Sequence, residues 1–254
     1  MAPLDLCLQT WTIRHLLKAE TQKTLKQIRD LGFEHLELAG IGRKTPAEFY
    51  RLCADYGFKI VGIHQPSLTS GPLDNLLDDT RFRCELFHST FVTVMLDPEQ
   101  RKSAEAYLQY ADLCSRAGEK LKQEGITLCY QCYDYDLIPI PGFDRTKSGL
   151  HILVQETACK HLAFEIDTYF TRKAGLPLEA VFDICRARCR LVHINDFDKQ
   201  GQQAPLGEGA IPWRRELPMI RTTSSPQWII LEHRTDDPLS WIKRSRSYFD
   251  KYLQ

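Results

Sequence analysis

The chain has 254 residues, 33 basic against 33 acidic side chains, no net formal charge and 43% hydrophobic content, enough apolar material for one large domain or two small ones. The neutral balance excludes the basic footprint of a nucleic-acid-binding surface. The longest apolar runs, at 59–64 and 228–231, fall far short of the roughly 20 residues that cross a bilayer, and Asp5 stands where a secretory signal would be basic, so a cytoplasmic protein with no membrane partner is expected.

Read in chain order, a first apolar strand is expected near Leu4, running out at Gln9 and Trp11. Asp30-Leu-Gly32 then closes a helix, because glycine takes the left-handed conformation past the last turn, and Phe33–Leu38 follows as a strand that delivers Glu37. Thr45-Pro-Ala-Glu48 opens the next helix with a hydroxyl cap, a proline in the first turn and a reciprocating carboxylate three residues on. The same helix–Gly–strand phrase recurs at Asp55-Tyr-Gly57, feeding a strand that ends on His64. Further apolar strands are expected from about Phe91, Ile126, Leu162, Leu191 and Trp228, with helical periodicity over 104–122 and 238–253.

Eight strands alternating with helices at about 30 residues per unit predict a (β/α)8 TIM barrel occupying residues 1–254 as one domain. The competing open doubly wound sheet carries a glycine-rich turn after its first strand, and Leu8–Arg14 contains no glycine. The nine cysteines are odd in number and scattered, which argues against a disulfide framework. Cys129 and Cys132 have C-x-x-C spacing, but residues three apart on a strand point to opposite faces. Cys185 and Cys189 read as packing.

Barrel enzymes place their chemistry at the C-terminal strand ends. Here those ends carry Gln9 and Trp11, Glu37, His64, Gln131, Asp167, His193 and Glu232. Each alone is more often a hydrogen-bonded core residue, but so many polar side chains converging on one mouth are costly to bury without a ligand. Asp167, His193 and Glu232 end neighbouring strands and can share a cation. With Gln131 they offer three oxygens, one nitrogen and two formal charges, suited to Mn2+ or Mg2+, with Zn2+ or Co2+ as alternatives.

These residues, taken with Gln9-Thr-Trp-Thr-Ile-Arg14, Gly57-Phe-Lys-Ile-Val-Gly-Ile-His64, Phe164-Glu-Ile-Asp-Thr-Tyr169, Leu191-Val-His-Ile-Asn-Asp196 and Trp228-Ile-Ile-Leu-Glu232, resemble the xylose-isomerase-like TIM barrels of sugar phosphate isomerases and epimerases. The resemblance covers almost the whole chain. It implies a divalent metal held by Gln131, Asp167, His193 and Glu232, and a carbohydrate substrate contacted by Gln9, Trp11, Glu37, His64, Asp136 and Glu208. Two positions depart from the family pattern. Gln131 lies in Tyr130-Gln-Cys-Tyr133 where members carry Glu or His, and Asn195 replaces a Lys usual in one branch. Glutamine can ligate through its carbonyl but cannot take a proton.

The resemblance therefore implies an isomerase or epimerase acting through an enediolate, with Glu232 as base and His64, Asp134, Asp136 or Glu208 returning the proton. A lyase or dehydratase on a keto-sugar or keto-inositol begins with the same proton abstraction, and a catalytically impaired carbohydrate-binding barrel is the third reading. The loop Pro205-Leu-Gly-Glu-Gly209 reads as a contact to sugar hydroxyls more than as a phosphate cup, since no Lys, Ser or Thr flanks its glycines. A homodimer is plausible for such barrels.

Overall fold

A computed structural model describes residues 5–101 and 103–253. Leu4, the expected start of the first strand, lies outside them. Eight parallel strands close into a barrel: β1 (Leu6–Gln9), β2 (His35–Leu38), β3 (Lys59–His64), β4 (Phe91–Val94), β5 (Thr127–Cys132), β6 (Ala163–Asp167), β7 (Cys189–Ile194) and β8 (Trp228–Leu231). Each pairs with its neighbours in sequence, and β8 closes on β1 through Leu6–Ile229 and Leu8–Leu231. The outer layer is α1 (Arg14–Asp30), α2 (Pro46–Asp55), α3 (Leu73–Phe87), α4 (Ala104–Lys122), α5 (Asp134–Leu137), α6 (Gly149–Glu156), α7 (Thr168–Lys173), α8 (Leu178–Cys185), α9 (Trp213–Thr223) and α10 (Pro238–Tyr252).

Local signals act where the sequence places them. The Glu48 amide donates to Thr45 Oγ1 at 3.3 Å and the Thr45 amide to Glu48 Oε2 at 2.8 Å, a reciprocal cap at the start of α2. Gly32 and Gly57 follow α1 and α2 with φ of 87° and 70°, a conformation that would strain a side chain. All nine cysteines are free and only Cys159 is exposed. Cys129 points into the barrel and Cys132 into the layer between barrel and helices, so the C-x-x-C pair cannot act as one unit. Among the described residues no helix is long and apolar enough to cross a membrane.

The barrel interior has two chemically distinct layers. At the N-terminal end, Cys7, Val61, Phe91, Cys129, Ala163, Leu191 and Ile230 form an apolar plug separate from the main core under the helices. Side chains alternate along a strand, so the next inward position is two residues on. There Cys7 gives way to Gln9, Cys129 to Gln131, Ala163 to Glu165 and then Asp167, Leu191 to His193, and Ile230 to Glu232. An apolar floor thus carries a polar upper interior on the same strands.

Candidate active site

Strand register sets these polar side chains at matching heights. Gln131 pairs with Glu165, Asp167 with His193, and Gln9 with Glu37. Gly62 on β3 lies beside Glu37, where a Cβ would meet Glu37 Oε1 at 3.1 Å, so the glycine leaves room for that carboxylate.

Gln131, Asp167, His193 and Glu232 converge around one ring nitrogen. His193 Nδ1 lies 3.1 Å from Glu232 Oε2, 3.4 Å from the Gln131 amide and 3.9 Å from Asp167 Oδ2. One ligand atom from each of Asp167, His193 and Glu232 lies within 4.8 Å of the others. All four side chains are buried. Asp167 caps α7 by accepting from the Tyr169 and Phe170 amides, and it accepts from Asn195 Nδ2 at 3.1 Å. Burial, and after it the charge of Glu232, push Asp167 up to about 6. Burial also works against ionisation of Glu232, but His193 and Arg234 outweigh it and hold that carboxyl below its usual range. Two buried carboxylates in such mutual repulsion, with an imidazole nitrogen and an amide beside them, fit a divalent cation.

Above this set opens a cavity of about 310 Å³. Gln9, His64, Gln131 and Glu232 reach it from the strands, and Trp11, Tyr133 and Arg234 wall it from the following segments. Trp11 is 41% exposed in a 3-10 turn, an aromatic face presented to solvent. Arg234 Nε lies 3.4 Å from Glu232 Oε1, and its guanidinium sits over the Phe170 ring. Burial alone would lower His64, yet the carboxylates of Glu37 and Glu165 raise it to about 10. Burial likewise lifts the Tyr133 hydroxyl to about 12, with the charge of Glu232 adding to it.

Three expected contacts lie elsewhere. Glu37 is wholly buried beneath His64 and His193 and does not reach the cavity. Asp136 is also wholly buried, where its carboxylate accepts from the Tyr107 and Tyr130 hydroxyls and the Tyr133 amide, with Arg101 Nε 4.0 Å away. Its three donors tie it to the segment after β5, and it does not line the cavity. Glu208 is on the surface, 2.8 Å from Arg244. In the same loop the Gly207 amide donates to Asp196 Oδ2 at 3.0 Å, which removes one donor that a phosphate cup would need. Asp134 is likewise engaged, 2.9 Å from Lys173.

Two residues escaped the sequence reading. Glu165, wholly buried, lies 2.7 Å from His193 Nε2 and 3.2 Å from His64 Nε2. Its signal was period two: Glu165 shares an inward face with Asp167. Arg234 stands two residues beyond Glu232 by the same spacing.

Comparison with known proteins adds the lineage. Chains of similar fold include a sugar phosphate isomerase/epimerase from Parabacteroides distasonis, with TM-score 0.84, 16% identity, and 100% of this chain covering 96% of that one. A probable 3-DHS dehydratase from Bacillus anthracis has TM-score 0.76 at 14% identity, covering 97% of this chain and 99% of the other. A xylose isomerase-like TIM barrel protein from Mycobacterium smegmatis in complex with magnesium has TM-score 0.69 at 17% identity, covering 99% and 96%. At such identities the likeness establishes the fold. The sequence has no significant match among curated proteins. Residues 25–252 match the xylose isomerase-like TIM barrel family model, and the chain belongs to that family.

Proposed function

We propose that the protein is a divalent-metal-dependent enzyme that moves a proton next to the carbonyl of a sugar, keto-sugar or inositol derivative. The observation that carries this reading is the convergence of Gln131, Asp167, His193 and Glu232 on one ring nitrogen, with Gln131 and Glu232 also lining the cavity. These four residues would hold the ion, Mn2+ or Mg2+ by their oxygen-rich character. A bound cation supplies Lewis-acid stabilisation of the oxyanion that develops when the α-proton leaves, worth several kcal/mol.

The protein's own groups divide the proton work. Glu232 reaches the cavity and is held in its anionic form, so it is the base. His64 keeps its proton through neutral pH and donates from the same cavity. Trp11 offers a flat apolar face to the C–H side of a sugar ring, and Arg234 orients Glu232 and contacts substrate oxygens.

Gln131 bears on the reaction class. Inversion at one carbon needs proton-transfer groups on both faces, and the β5 position offers an amide that cannot titrate. One base and one acid suffice for aldose–ketose isomerisation or for β-elimination. Isomerisation is the leading reading, and the resemblance in fold to a probable dehydratase keeps elimination as the second. Incubating the Mn2+-loaded protein with ketoses, 3-keto-glucosides and keto-inositols in D2O separates them. Solvent deuterium in an isomer supports the first and loss of water or aglycone the second. No exchange on any of these, with no metal bound, would overturn both in favour of an impaired carbohydrate-binding barrel.

A further inference from the structure

Beyond helping His64 keep its proton, Glu37 and Glu165 have no role in the chemistry above, yet they are two carboxylates buried beside a metal ligand. With His64 and the far side of His193, one ligand atom from each residue falls within 4.8 Å of the rest. Two carboxylates and two imidazoles are a donor set that could itself take a cation. The packing points the other way. The Gln9 amide nitrogen lies 2.8 Å from Glu37 Oε2, 3.1 Å from His64 Nε2 and 3.5 Å from His193 Nε2, so the middle of the group is already filled by a hydrogen-bond donor.

His193 is shared between the two groups. Its Nδ1 faces Gln131, Asp167 and Glu232, while its Nε2 lies 2.8 Å from Glu37 Oε2 with hydrogen-bonding geometry. An Nε2–H donated to Glu37 leaves the Nδ1 lone pair for a cation, the carboxylate–histidine arrangement that fixes ring orientation and strengthens a ligand. Glu165 behaves differently. Both its oxygens lie close to imidazole nitrogens, yet neither accepts a directed hydrogen bond. A wholly buried carboxylate so placed acts chiefly through its charge.

We propose that Glu37 and Glu165 are positioning residues for a single metal centre: Glu37 aims His193 Nδ1 at the ion, and Glu165 supplies from behind the ring the negative charge that neutral Gln131 does not supply in front. This rests on the metal reading of the Gln131, Asp167, His193 and Glu232 site, and the experiment separates the two.

Metal per chain is measured by mass spectrometry after Mn2+ loading, and Mn2+ affinity by calorimetry for wild type, Glu37→Gln, Glu165→Gln and the double variant Glu165→Gln with Gln131→Glu. The expected result is one ion per wild-type chain and a 10–100-fold loss of affinity in each single variant. The added carboxylate at 131 should then recover most of the loss. Melting in EDTA is the control, because a merely structural role lowers it without changing affinity. Two ions per chain would overturn the proposal, as would wild-type affinity in both single variants. Failure of wild type to bind Mn2+ at all would instead overturn the metal reading on which the inference stands.

Discussion

Asp167→Asn separates what the site costs from what it is for. In the metal-free protein the Asp167 carboxyl is raised to about 6 by burial and by Glu232, against about 4 in an unfolded chain. The folded state therefore binds this proton more tightly than the unfolded state. The charged form destabilises the fold above pH 6, and that penalty fades as pH falls from about 6 to about 4. About two pKa units correspond to roughly 3 kcal/mol. Asparagine removes the charge and can still accept from the Tyr169 amide. Its own NH2 can donate to Asn195 Oδ1, which has no partner in the wild type, once the Asn195 amide turns over. Urea denaturation in EDTA should show Asp167→Asn about 2–3 kcal/mol more stable than wild type at pH 8 and within about 1 kcal/mol of it at pH 4. Added Mn2+ should stabilise wild type alone, by about 2.7 kcal/mol at a hundred times the dissociation constant. A variant less stable than wild type at pH 8 in EDTA would refute the reasoning.

Three further outcomes follow from the same geometry. Glu232→Gln should abolish solvent-deuterium exchange into substrate, by 10³-fold or more, while leaving the fold intact by circular dichroism; exchange within tenfold of wild type would remove Glu232 as base. Mn2+ affinity should weaken as pH falls, up to tenfold per unit, because proton and cation compete for His193 Nδ1. Although burial opposes protonation of that ring, Glu165 and Glu37 raise its pKa well above the ordinary histidine value, and calorimetry between pH 6 and 8 checks the slope. Asp136→Asn should cost about 2–4 kcal/mol of stability with KM changed less than threefold once folded, since Asp136 braces Tyr107, Tyr130 and the Tyr133 amide; a large KM effect with unchanged stability would return it to the substrate.

The legible part of this molecule was the part with a period. Glycines past helix ends, the Thr45 cap and apolar runs located all eight strands, and a polar residue closing every run but the fourth marked the mouth of the barrel. Glu165 was missed because it interrupts the run Phe164-Glu-Ile-Asp167 in mid-strand, where an acid between apolar neighbours reads as solvent-facing unless both strand faces are buried. Asp136 and Glu208 were misplaced for the opposite reason. They lie in segments after strands, where no alternation fixes which way a side chain points, and tertiary partners such as Tyr107 and Arg244 decide it. The double engagement of His193 could not be read from spacing, since its neighbours Glu37 and Glu165 come from strands on either side of the barrel.

The most direct test of the account is anomalous diffraction at the manganese edge from crystals grown with Mn2+. The account predicts one peak per chain, within coordination distance of Gln131, Asp167, His193 and Glu232. No peak at that position, or a peak seated instead between Glu37 and Glu165, would contradict it.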